Sequence, residues 1–196
     1  MLFHHVLGLT DGVRGFASRL SAQGHEVHTP DLYEGRLATS FEEGFAIKND
    51  LGAEHLQTLA EEALDEASTD ADSLVLAGIS LGVTHAQRLA QTRAGIHGAL
   101  LYAACLPISG EWAVGPWPET VRVQVHGMDD DEFFAHEGDI DAARELVAAA
   151  GPELAELFTY PGDGHLFMDS SLPSYDSTAT DAVLRRSLDL LDAVST

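Results

Sequence analysis

The stretch that most constrains this chain runs from Ser73 to Gln91, SLVLAGISLGVTHAQRLAQ. Leu74 to Ala77 is an apolar run of the length expected for a strand buried on both faces. Leu81 to Ala90 is rich in small, helix-compatible residues. Between them lies Gly78-Ile79-Ser80-Leu81-Gly82, a G-x-S-x-G. Glycines two before and two after a serine leave room for a sharp, strained strand-to-helix turn. Such a turn lifts the Ser80 hydroxyl above the carboxyl end of the strand and aims the next helix N-terminus at it. An oxyanion forming there meets oriented N–H groups and the positive end of the helix dipole. The spacing alone also fits an ordinary Gly-rich turn. The strand before it and the helix after it favour a nucleophile.

A serine nucleophile needs a base, and the base needs an orienting acid. Val121 to His126 reads as a strand and leads into Gly127-Met128-Asp129-Asp130-Asp131. Leu157 to Tyr160 reads as another and leads into Pro161-Gly162-Asp163-Gly164-His165. Each loop alone fits a solvated turn. Serine, acid and histidine in that order, each after a strand, fit a catalytic set.

The chain resembles the dienelactone hydrolase family of α/β-hydrolases over nearly its whole length. The resemblance is carried by Val6-Leu7-Gly8, the PDLYEGR segment from Pro30 to Arg36, the elbow, HGMDDD from His126 and YPGDGHLF from Tyr160. It implies Ser80 as nucleophile, His165 as base and Asp130, four residues after His126, as acid. Asp129 and Asp131 compete for that last role, and the family spacing decides for Asp130. The resemblance also implies oxyanion donors at the Val6 and Leu81 amides, with no cofactor and no metal. Members often carry cysteine as nucleophile, so Ser80 is a departure. His5 stands where the family has a glutamate that touches the resting nucleophile. Asp169 stands where members that bind an anionic dienelactone carry arginine, and would repel a carboxylate. Arg36 is then the cation left near the expected pocket.

The chain order supports a mostly parallel α/β sheet of about six strands, helices on both faces, in a single domain over residues 1–196. The antiparallel hairpin that usually opens the family is not expected here. Expected strands are Leu2–Leu7, Glu26–His28, the elbow strand, Gly98–Ala103, Val121–His126 and Glu153–Tyr160. Thr10 is placed to cap a helix with Val13, Phe16, Ala17 and Leu20 on one face, and Gly24 to end it. Ser40 and Glu43 form a capping box, and Ser177 is expected to cap the last helix. Further helices are expected over 53–66, with Leu56, Leu59, Ala63 and Leu64 on one side, and over 139–150. A polar link covers 65–73.

Three other features bear on function. His4 and His5 lie near the oxyanion loop. A metal site formed from them with Asp129 and His165 is disfavoured, because adjacent strand residues point to opposite faces. Cys105 lacks an elbow and reads as a buried or pocket-wall thiol. Trp112, Trp117, Phe133, Phe134 and Phe167 flank the catalytic loops; Trp112, Phe133 and Phe167, with His5 and Arg36, are the candidate pocket residues.

A net charge of −22, with Lys48 the only lysine, excludes binding to nucleic acid and to anionic membrane. The absence of a basic, cleavable leader and the single cysteine lead us to expect a cytoplasmic protein. The expected activity is hydrolysis of a small-molecule ester or lactone through an acyl-enzyme. A thioesterase, or a member of the fold that binds a small ligand without turnover, is the alternative. The Glu26–His28 edge leaves a homodimer open.

Overall fold

The computed structural model describes residues 1–68 and 73–195. The expected link over 65–73 falls partly outside the described residues. Five strands form one parallel sheet in chain order: β1 (Leu2–Phe3), β2 (Leu74–Ile79), β3 (Ile96–Tyr102), β4 (Arg122–Met128) and β5 (Ala155–Tyr160). The register pairs Phe3 with Gly78, Gly78 with Leu101, Tyr102 with His126 and Met128 with Tyr160. All strands therefore finish at one end of the sheet, where the loops bearing Ser80, Asp131 and His165 emerge.

Alternation along the strands sends side chains to two faces. Leu76, Leu101, Val123 and Val125 pack with α3 (Ala53–Ala67), α4 (Leu81–Thr92) and α6 (Asp139–Ala150) on one side. Ala77, Ile79, Leu100 and Tyr102 pack with α1 (Asp11–Ser21) and α7 (Ser177–Val194) on the other. α3 buries Leu56, Ala60 and Leu64. Leu59 only flanks that core. α2 (Phe41–Leu51) and the short α5 (Glu132–His136) lie over the loop end.

Local signals placed several helix ends correctly. Thr10 caps α1 by accepting the Val13 N–H at 3.2 Å. Ser40 caps α2 through the Glu43 N–H, also at 3.2 Å. The Glu43 carboxylate returns to the amide and hydroxyl of Thr39 rather than to Ser40, so the box closes one residue early. α7 is capped by Asp176, which accepts the Ala179 N–H at 2.9 Å, and Ser177 is its first residue. A carboxylate is as good an N-cap as a hydroxyl, and here it lies one position earlier.

Two strand expectations fail. The first strand stops at Phe3 because the chain must then curl over the elbow, with Gly8 donating to the His5 carbonyl at 3.0 Å. The Glu26–His28 segment is not a strand, which leaves five strands among the described residues rather than about six. Among the described residues its one backbone bond to the sheet is the Leu2 N–H to the His28 carbonyl at 2.8 Å. Glu26 and His28 are exposed, and one bond with little burial does not make a ladder. Among the described residues, no helix is long and apolar enough to cross a membrane.

Candidate active site

The elbow owes its shape to close backbone packing. Ser80 sits at φ 51°, ψ −114° between β2 and α4, a conformation that costs a non-glycine residue about 1–3 kcal/mol. A side chain at Gly78 would come within 2.4 Å of the Gly82 carbonyl, and one at Gly82 within 2.3 Å of the Phe3 carbonyl. Both glycines are therefore required by contact: one inside the turn, the other where α4 passes β1.

Ser80 Oγ lies 2.7 Å from His165 Nε2. His165 Nδ1 lies 2.8 Å from Asp131 Oδ2. Asp131 is fully buried, and its other oxygen caps α5 by accepting the Phe133 N–H at 3.0 Å. The carboxylate that meets His165 is thus Asp131, one residue after the Asp130 to which the family spacing points. Asp130 points outward, its side chain 75% exposed, and meets His136 at 3.0 Å. The reason is backbone geometry. β4 runs on through Met128, and the amides of Asp129 and Asp130 bond the Tyr160 and Gly162 carbonyls at 2.9 Å each. Asp131 is the first residue free to turn inward. Asp129 is used locally, accepting the Gly162 N–H at 3.1 Å.

The amides of Val6 and Leu81 find no acceptor among the described residues, and both residues line the cavity at Ser80. This cavity, about 220 Å³, is also walled by Phe41, Phe45, Phe133, Glu137 and Asp139. Phe41 and Phe133 pack edge to face at 5.6 Å and bracket the His165 ring at 6.0 and 4.6 Å. A larger cavity of about 500 Å³ opens at the opposite end of the sheet, around Met1, His25 and Leu191. It contains none of Ser80, Asp131 and His165; Ser80 and His165 line the smaller cavity.

Of the expected pocket residues, only Phe133 lines the cavity at Ser80. Arg36 is paired with Asp50 at 2.7 Å. Trp112 is 84% exposed on the irregular 104–119 segment. Phe167 is fully buried against Tyr160, and Phe134 is in the core. Trp117 is buried, with its indole N–H on the Val121 carbonyl. His5 is fully buried and bonded to Asp169 at 2.8 Å; Asp169 is buried too and lines none of these cavities, so it does not face a substrate there. Phe41 and Phe45 were missed. They sit on the helix that Ser40 caps, and nothing local in the sequence says that α2 crosses Ser80. The crossing is close: a side chain at Gly44 would fall 2.3 Å from the Val6 carbonyl.

Cys105 is buried, and its thiol bonds only weakly, to the Leu106 carbonyl at 3.7 Å. Burial, with the nearby Asp139 charge, pushes its thiol well above the usual range, so it carries little thiolate. Among the described residues no group of three or more His, Cys, Asp or Glu is placed to hold a metal.

The sequence matches the dienelactone hydrolase family over residues 1–195. The chain belongs to that family. Membership makes it an ester hydrolase, and solved structures agree on the fold. The structure named m3DLH has a TM-score of 0.77 at 24% identity, over 98% of this chain and 85% of that one. A dienelactone hydrolase-like promiscuous phosphotriesterase, P91, from metagenomic libraries gives 0.75 at 17%, over 98% and 84%. A structure from work on two metagenome-derived lipolytic enzymes, LipS and LipT, gives 0.69 at 16%, over 98% and 92%. Among curated proteins nothing matches the chain.

The hydrolase carries three buried histidines besides His5, and their burial is expected to weaken the fold in acid. Burial lowers His4 and His85 to about 4 and His126 to about 3, from 6.5. His4 donates from Nδ1 to the His5 carbonyl and accepts the Leu32 N–H at Nε2, so it must stay neutral. The unfolded chain takes up these protons near pH 6.5 and the folded protein does not, so stability falls as pH drops from about 6.5 toward 4. Each unit of depression is worth about 1.4 kcal/mol. Three such groups cost on the order of 5 kcal/mol or more, comparable to the whole stability of a domain. Relief of negative charge on protonation opposes this, but 0.15 M salt screens those surface charges. The thermal midpoint is expected to drop steeply between pH 6.5 and 4.5 in that salt. A flat profile there would show the histidines to be protonated in the fold.

Proposed function

We propose that the protein is a cytoplasmic serine hydrolase that cleaves a small, neutral carboxylic ester or lactone through an acyl-enzyme. The observation that carries this is the unbroken chain from Ser80 Oγ through His165 to buried Asp131, at 2.7 and 2.8 Å. Ser80 Oγ attacks the carbonyl carbon as His165 Nε2 takes its proton. Asp131 holds Nδ1–H and stabilises the imidazolium. The oxyanion is received by the Val6 and Leu81 amides, with the α4 N-terminus behind Leu81. The C–O bond to the leaving group breaks as His165 protonates the departing oxygen. Water, deprotonated by His165, then releases the acid and restores Ser80.

The decisive test is labelling with a fluorophosphonate. Ser80 should be modified covalently, since only an activated serine displaces fluoride at a useful rate. An unlabelled, correctly folded protein would favour ligand binding without turnover.

The walls of the cavity support a neutral substrate. They include Glu137 and Asp139 and neither lysine nor arginine. Asp139 is half-buried, and desolvation raises its pKa despite the Cys105 N–H it accepts. A carboxylate-bearing ester would enter without the arginine fork such substrates need, against a protein of net charge −22. A neutral ester should therefore show a higher kcat/KM than an anionic analogue of equal size, at low and at moderate salt. Preference for the anion at both would overturn this choice of substrate.

A further inference from the structure

Behind the Ser80 site lies a buried ionic cluster that the proposed reaction does not use. Asp169 Oδ2 accepts His5 Nε2–H at 2.8 Å and the Thr10 hydroxyl at 2.5 Å. Asp169 Oδ1 accepts the Ser171 amide at 2.8 Å and its hydroxyl at 2.5 Å. Burial alone would raise this carboxyl, but these donors together hold it at about 2. The carboxylate also lies against the start of α1: a side chain at Gly12 would fall 1.6 Å from Asp169 Oδ1. The positive end of that helix adds to the stabilisation.

The same cluster reaches the oxyanion loop. With Nε2 donating to Asp169, the neutral His5 ring leaves Nδ1 bare, and Nδ1 accepts the Leu7 N–H at 3.2 Å. Val6 therefore lies between two held residues, with its carbonyl packed against Gly44. The other end of the cluster is the loop that carries His165. Asp169 follows the histidine by four residues, and its amide bonds the Leu166 carbonyl at 3.0 Å.

We propose that Asp169, acting through His5, is a positioning residue: it selects the His5 tautomer that accepts the Leu7 N–H and so sets the Val6 amide toward the oxyanion. One carboxylate thereby keeps the oxyanion loop and the His165 loop in mutual register. The inference rests on the ester-hydrolase reading above. Neither Asp169 nor His5 touches the substrate cavity.

Asp169→Asn keeps the shape but turns an N–H₂ toward His5. His5 must then bare Nε2 and protonate Nδ1, which sets one donor against the Leu7 donor. The flipped amide fares no better, because it faces the fixed Ser171 N–H. A shift of the Val6 amide by a fraction of an ångström weakens a contact made mainly in the transition state. We expect kcat per fluorophosphonate-labelled site to fall about 10–100-fold, with KM changed less than about twofold. Affinity for a boronic acid that forms a tetrahedral adduct with Ser80 should weaken by the same factor as kcat. The nitrogen NMR signals of His5 should report the exchanged tautomer, and the Val6 and Leu7 amide signals should move. His5→Phe, which removes both bonds, should act in the same direction and serves if Asp169→Asn does not fold. Asp176→Ala, which strips the cap of α7, should lower thermal stability without changing kcat per labelled site. Unchanged kcat per labelled site in Asp169→Asn, or an unchanged His5 spectrum, would overturn the proposal. A wild-type protein that takes no label would sink the hydrolase reading instead, and the nitrogen spectra would still decide whether Asp169 sets the loop.

Discussion

Replacing Ser80 with alanine is expected to cut ester turnover by roughly 10³-fold or more while leaving the fold intact. The hydroxyl it removes has one side-chain partner, His165 Nε2 at 2.7 Å, so no buried group loses more than that bond. Alanine meets the same strained backbone at φ 51° as serine does, and the close contacts of the elbow are made by Gly78 and Gly82. Circular dichroism should therefore be unchanged when activity is gone. Cys105→Ser is the matching control and should keep most activity, because the thiol is buried and its ionisation is suppressed. Near-normal hydrolysis by Ser80→Ala would remove the serine from the mechanism. Collapse of turnover in a folded Cys105→Ser protein would move the nucleophile there.

Asp131→Asn is expected to cost about 10³–10⁴-fold in kcat, and Asp130→Asn less than about twofold. Asparagine at 131 can still cap α5 through its carbonyl oxygen, where Asp131 Oδ1 accepts the Phe133 N–H at 3.0 Å; asparagine is as good a cap as aspartate. The amide nitrogen then faces His165 Nδ1, where Oδ2 lay at 2.8 Å. Two donors cannot share that contact, so the imidazole moves its proton to Nε2 and presents a donor to Ser80. The base is lost with the structure preserved. Asp130, by contrast, is exposed and meets only the exposed His136, an arrangement worth little in water. Comparing kcat for the two variants, each normalised to folded protein, decides between adjacent carboxylates. Asp130→Asn as the crippling change would restore the spacing read from the family resemblance.

That one-residue difference shows where sequence reasoning stopped. The family resemblance points to the loop that meets His165, and the DDD run offers three carboxylates within it. The choice among them depended on how far β4 runs, and so on the bonds of Asp129 and Asp130 to the Tyr160 and Gly162 carbonyls, more than thirty residues away. The pocket aromatics failed for a related reason. Phe133 lies two residues after Asp131 and is legible as a pocket residue, but Phe41 reaches His165 only because α2 crosses the loop at Val6, where Gly44 packs. Exposure of Trp112 and burial of Phe167 likewise depend on chain segments that no local pattern describes.

Local geometry is legible from the order of residues alone: the strand and tight elbow around Ser80, the caps at Thr10 and Ser40, the apolar face of α1, and the loop after β5 that carries His165. Hydrogen bonds within four residues and the period of apolar side chains settle these, and both are written in neighbouring letters. Packing in three dimensions settles the rest: Asp131 rather than Asp130 meets His165, Glu26–His28 stays outside the sheet, and His5 joins Asp169 across 164 positions of chain. Those outcomes follow from which buried donors and acceptors can satisfy one another once the helices pack on the sheet. Such pairing depends on three-dimensional distance, and sequence separation does not encode it.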